Sequence, residues 1–140
     1  MTLQSLKLTP SIYNIIKMDN QTHPTFANGK ICYIEIPAND ITESASFYNK
    51  VFGWNIRTRG DGSIAFDDTV NEVSGTWVLN RRPHTESGLL IYIMVDDVAA
   101  TIEAVIANGG KVVQPMNGNA PEFIATFSDL SGNVFGIGQQ

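Results

Sequence analysis

The chain has 140 residues, 43% of them hydrophobic, which is one domain's worth by the usual ~100 to 200 residues per domain and enough to build a core. Nine basic residues against fourteen acidic ones give a net charge of −5, and no Lys/Arg run exceeds the pair Arg81-Arg82. A phosphate backbone is therefore repelled over most of the surface, which disfavours nucleic acid as a partner, and a single cysteine excludes an internal disulfide.

Residues 1–17, MTLQSLKLTPSIYNIIK, carry two lysines and no acid, but Gln, Lys, Thr, Pro and Asn interrupt the apolar positions. They supply neither a signal-peptide core of ~7 to 15 apolar residues nor a span of ~20, so no membrane partner is expected and a cytoplasmic location is. MDNQTHPTFANGK is polar and turn-rich, a connector that completes an N-terminal extension over residues 1–30. Met18 heads that connector, and translation is expected to start there, with residues 1–17 dispensable; intact mass of the native protein checks this.

The remainder, residues 31–140, reads as one domain made of a repeated unit. ICYIEIPAN is a strand, with Cys32 expected as a small buried hydrophobe. Asp40 follows as an N-cap with Glu43 in capping-box position, then Ile41, Ala45, Tyr48, Val51 and Phe52 at helical period, and Gly53 as the stop. WNIRTR, SIAFD and TWVLN are three short strands, and His84-Thr85-Glu86-Ser87 is a link. LLIYIMVD, the N-cap Asp97, the stripe Val98, Ile102, Val105 and Ile106, the stop Gly109-Gly110, and then KVVQP, EFIATFS and NVFGIG repeat the order. Asp40 and Asp97 lie 57 residues apart (97 − 40 = 57), as do Gly53 and Gly110, and Gly75 and Gly132. The prediction is an α+β fold of two tandem βαβββ modules, residues 31–83 and 88–139. Two helices cover one face of the strands, so the other face must curl around a cavity, a partner, or both.

The run IEIPANDITESASFYNKVFGW, the VDDV ahead of the second helix, GGKVVQP after it, and the closing SDLSGNVFGIG resemble the vicinal oxygen chelate superfamily, the glyoxalase I, bleomycin-resistance and extradiol-dioxygenase group. The resemblance covers residues 31–138 and implies curved mixed sheets enclosing a cleft, with helices outside. In metal-using members it implies four His, Gln or Glu ligands: one on each first strand, seven residues before the capping Asp, and one on each last strand, four residues past its Gly. Those places hold Tyr33, Leu90, Leu79 and Gly136 here, none a good ligand for a divalent ion. With only His23 and His84 in the chain, no metal and no other cofactor is expected. Gly136 is expected to leave space where a relative would hold a carboxylate.

Strand alternation puts Tyr33 and Glu35, then Leu90, Tyr92 and Met94, then Trp77, Leu79 and Arg81, then Val134, Gly136 and Gly138 on the cleft side. Cys32, Ile34, Ile36, Leu89, Ile91, Ile93, Val95, Phe135 and Ile137 form the core under the helices. The candidate ligand-binding set is Tyr33, Glu35, Trp77, Leu79, Leu90, Tyr92 and Gly136. Tyr33, Trp77 and Tyr92 equally suit a module or subunit interface. Glu35 is the weak catalytic candidate, as a general base or a cation's counter-ion, against a salt bridge to Arg81 or Arg57. Glu122 and the pair Asp67-Asp68 read as solvated, and His84 as exposed. Two functions stay open: a metal-free module that sequesters a small organic molecule, cationic and planar ones included, and a glyoxalase-like lyase, isomerase or epimerase whose metal ligands are non-standard, such as Glu35 and Glu122. A homodimer is expected in either case.

Overall fold

In the computed structural model the described residues are 22–85 and 88–139. The chain divides into two units, residues 1–30 and 31–140. The expectations for residues 1–17 and Met18 lie outside the described residues. In the first unit a turn closes by the Lys30 amide donating to the Ala27 carbonyl at 3.3 Å.

The second unit runs β1 (Tyr33–Pro37), α1 (Ile41–Phe52), β2 (Asn55–Thr58), β3 (Ile64–Asp67), β4 (Ser74–Val78), β5 (Tyr92–Met94), α2 (Val98–Ala107), β6 (Lys111–Asn119), β7 (Glu122–Ser128) and β8 (Val134–Gln139). Each βαβββ module forms its own four-stranded mixed sheet, β1-β4-β3-β2 in the first and β5-β8-β7-β6 in the second. In each, only the pair made by the first and last strands is parallel. Among the described residues no helix is long and apolar enough to cross a membrane.

The helix signals act as their residue types dictate. Asp40 Oδ1 accepts from the Glu43 amide at 2.9 Å and Asp97 Oδ1 from the Ala100 amide at 3.0 Å, each satisfying an orphan donor of the first turn. Gly53 ends α1 at φ 76°, where a Cβ would be strained.

Both helices pack on the inner faces of the sheets, and one core joins the modules. Its spine is aromatic: Phe66 stacks on Trp54 at 4.4 Å, Trp54 on Tyr48 at 4.7 Å, and Tyr48 meets Phe135 of the second module edge-on at 5.9 Å. Such pairs add ~0.5 to 1.5 kcal/mol each beyond their buried area. Beside them the SDLSGN turn is tied to the first module. Asn133 Nδ2 donates to the Pro37 carbonyl at 2.7 Å, and the Asn39 amide donates to Ser131 Oγ at 2.9 Å. His84, in the link, is half-buried, because its amide donates to Asn133 Oδ1 at 2.9 Å.

The first strands are shorter than the sequence suggests. Cys32 is exposed instead of buried, Leu89 is 82% exposed, and Ile91 is exposed too. The reason is reach. A nine-residue strand spans ~30 Å, whereas the 12-residue α1 spans ~18 Å and the 10-residue α2 ~15 Å, so the leading end of each apolar run projects past its helix. Ile106, on the expected α2 stripe, is also exposed.

Candidate functional site

The outer face of the first sheet is polar. Register places Tyr33, Ser74, Asp67 and Asn55 in one row across it, and Glu35, Thr76, Ala65 and Arg57 in the next. Arg57 grips Asp67 with two N–H groups, at 2.9 Å from Nε and 3.2 Å from Nη2, while Ser74 Oγ donates to Asp67 Oδ1 at 2.6 Å. The hydrogen bond from Arg57 leads the causes that hold the Asp67 carboxyl below the usual carboxylate value; desolvation opposes it and Ser74 adds to it. Arg59 donates to the Tyr33 hydroxyl, and its guanidinium carbon lies 5.6 Å from the Tyr33 ring centre. Arg81 Nη1 meets Glu35 Oε1 at 3.0 Å with both side chains about half exposed.

The outer face of the second sheet is apolar. Tyr92, Met94, Gly136 and Gly138 share it with Ile124 and Thr126. A hollow of about 420 Å³ opens there against β6 and β7, lined by Gln114, Pro115, Met116, Asn117, Ile124, Ala125 and Thr126. Two register shifts between Val112 and Asn117 bend β6 away from β7 and make room for it. Pro115 is tolerated because it sits on an edge strand at an irregularity. Leu90 precedes β5 and is exposed. A second, larger groove of about 850 Å³ lies on the helix side, between Phe52, Val70, Ile93 and Ala104, and Tyr92 alone of the sequence-predicted set lines it. Neither hollow is lined by Tyr33, Glu35, Trp77, Leu79, Leu90 or Gly136.

Three of the expected placements are corrected. Trp77 is in the core at 2% exposure, because it pairs in parallel with Ile36 and so shares the helix face. Leu79 lies past the end of β4 and is exposed. The source of both errors is the last strand. Glu35 pairs with Thr76 and Tyr92 with Gly136, so β4 and β8 correspond at an offset of 60 (136 − 76 = 60), while the first strands and helices keep 57. The longer β6–β7 hairpin takes up the difference. Gly75 is therefore no counterpart of the turn residue Gly132 (φ 92°): it lies mid-strand, where a Cβ would collide with the Ile34 carbonyl and the Phe66 ring.

The third correction concerns Gly136. No space is left there, since a Cβ would stand 2.5 Å from the Tyr92 ring, which lies across the glycine. Its lack of a side chain lets an aromatic cover β8. Asp67, expected as solvated, is the hub of the polar row. Asp67, Ser74 and Thr76 are outside the sequence-predicted set, and Arg57 entered it only as a possible partner of Glu35, although Asn55 and Arg57 flanking Ile56 already form a half-buried alternation.

The metal that the fold family uses does not fit these residues. Thr76, at the true ligand position of β4, has its hydroxyl committed to the Ile64 carbonyl at 2.6 Å, the Tyr33 oxygen faces the cationic Arg59, and Gly136 is roofed by a ring. Among the described residues no group of three or more His, Cys, Asp or Glu side chains is placed to hold an ion.

Comparison with known proteins agrees with the fold. The Glyoxalase/Bleomycin resistance protein/Dioxygenase superfamily matches residues 30–137. A glyoxylase-like domain-containing protein of Didymella fabae is 35% identical over 121 residues, covering 79% of this chain and 93% of that protein. A superfamily member from Sphaerobacter thermophilus superposes with a TM-score of 0.65 at 15% identity, over 80% of this chain and 98% of that one. A family enzyme from Burkholderia phytofirmans does so at 0.63 and 19% identity, over 76% and 95%. With the paired βαβββ sheets and the joined FYNKVFGW and SDLSGN motifs in place, the chain belongs to the glyoxalase/bleomycin resistance/dioxygenase superfamily.

Proposed function

We propose that the protein is a metal-free binder of a small organic molecule, held between the outer faces of two sheets. One observation carries this: the two faces are opposite in character and both are open. The first offers Tyr33, Glu35, Arg57, Arg59 and Thr76; the second offers Tyr92, Met94 and Ile124, which are 51%, 82% and 46% exposed. Ligand sites combine these two kinds of surface, apolar area for affinity and a few polar groups for orientation.

In this proposal a second copy of the chain completes the cleft. The inner faces of both sheets are already used by the common core, which leaves β1 and β5 as open edges beside exposed apolar side chains. A two-fold homodimer that lays one protomer's first sheet over its partner's second sheet covers both. The single thiol and the acidic surface accord with a cytoplasmic protein that engages neither nucleic acid nor membrane.

The lyase, isomerase or epimerase alternative finds no support in the pairing of its two candidate groups among the described residues. Glu35 is ion-paired to Arg81, and Glu122 is exposed at the start of β7 in the other sheet. Calorimetric titration with a small aromatic library, light scattering and metal analysis test the proposal together. Expected are hits at one site per chain, a mass about twice 15.3 kDa and sub-stoichiometric metal. One tightly held ion per chain with turnover of a hemithioacetal overturns it.

A further inference from the structure

We infer that the molecule held on the first sheet carries an anionic group, a carboxylate or similar oxyanion, seated against Arg59 and Tyr33; this rests on the binding function proposed above. The donor arithmetic of the face points there. Every carboxylate on or beside it already has a partner. Asp67 takes Arg57 and Ser74, Glu35 takes Arg81, and Asp61 in the β2–β3 turn accepts from the Ser63 amide at 2.9 Å and hydroxyl at 2.6 Å. A cationic ligand, left open by the sequence, would have to compete with Arg57 at Asp67 and with Arg81 at Glu35.

Donors, by contrast, are in surplus. Arg59 commits one N–H to the Tyr33 oxygen, and a guanidinium has five. The Tyr33 oxygen accepts from Arg59, so the phenol keeps its own O–H to donate. Arg59 and Tyr33 thus present donors side by side, which is the chemistry that recognises an oxyanion. Arg57, in the adjacent row, reaches across to Asp67 and adds its charge to the same face. On a chain of net charge −5, the three arginines of this face, Arg57, Arg59 and Arg81, balance the three carboxylates on or beside it, Asp61, Asp67 and Glu35, so the local charge carries no negative excess.

Three probes of one shape separate the possibilities: 2-naphthoate, 2-naphthalenemethanol and 2-naphthylmethylammonium, titrated into the full chain by calorimetry. The naphthoate is expected to bind at least ~10-fold tighter than the alcohol, and the ammonium weakest, as one charge-assisted hydrogen bond implies. Arg59→Gln is expected to weaken the naphthoate far more than the alcohol and so remove that advantage, and Arg59→Lys to restore part of it. Tyr33→Phe, which keeps the ring, is expected to weaken the naphthoate alone. Equal binding of alcohol or ammonium overturns the anion inference and leaves the small-molecule function standing. So does naphthoate binding that ignores Arg59→Gln in a variant with native circular dichroism. Binding by none of the three overturns both.

Discussion

The Tyr48 hydroxyl donates to Asp129 Oδ2 at 2.8 Å in the buried centre of the domain, joining residues 81 positions apart in the chain. Tyr48 belongs to the FYNKVFGW helix of the first module and Asp129 to the SDLSGN turn of the second. The two motifs are thus halves of one clasp. Asp129 also accepts from the Ser131 and Asn133 amides, both at 2.9 Å, and from Asn133 Nδ2 at 2.9 Å. A buried carboxylate with four donors is well compensated; the same carboxylate removed leaves four donors stranded.

Removal of the two ends of the clasp should therefore differ. Tyr48→Phe leaves Asp129 three donors and is expected to cost ~1 to 2 kcal/mol, whereas Asp129→Ala strands the phenol, two backbone amides and an N–H of the Asn133 side chain and is expected to cost ~3 kcal/mol or more. Urea unfolding midpoints decide it, and equal losses would show that Asp129 is not the hub.

The same hydroxyl gives the domain an alkaline weakness. Burial first, then the charge of Asp129 and its hydrogen bond, raises Tyr48 well above the ordinary tyrosine value of 10.0. The folded protein keeps that proton where the unfolded chain has released it. Its stabilisation is whole below pH 10 and falls by ~1.4 kcal/mol per pH unit above, as far as the raised folded value. Unfolding free energies from pH 9 to 11.5 should show wild type falling more steeply than Tyr48→Phe by that slope; parallel curves would contradict it.

Gly136 and Tyr92 should behave as a coupled pair. Gly136→Ala places a methyl against the Tyr92 ring and is expected to cost ~1 to 3 kcal/mol by overpacking. In a Tyr92→Ala background the same change should cost under ~0.5 kcal/mol, because the obstacle is gone. A double-mutant cycle by thermal unfolding measures the difference, and additive effects would mean that the ring does not lie on the glycine.

Cys32 offers a direct check on the length of β1. Exposed ahead of the strand, its thiol should react with Ellman's reagent in the native protein, one equivalent per chain, at a rate close to that in urea. Labelling that waits for unfolding would return Cys32 to the core.

Local signals were enough for the elements, because capping residues and hydrophobic periods act over a few positions. Asp40 and Asp97 cap the helices, Gly53 stops the first, and Tyr48, Val105 and Phe135 turn inward as their spacing requires. Chain order alone also fixed the two βαβββ modules. What residue spacing could not fix was the register of the last strand, because β4 and β8 correspond at an offset of 60 while the first strands and helices keep 57, and no local pattern reveals the difference. In a strand an odd shift exchanges the faces, which sent Trp77 to the core and brought Thr76 out. The union of Arg57 with Asp67, of Arg59 with Tyr33 and of Tyr48 with Asp129 likewise awaited the tertiary structure, since each joins side chains at least 10 residues apart through strand pairing or helix packing that no short window contains.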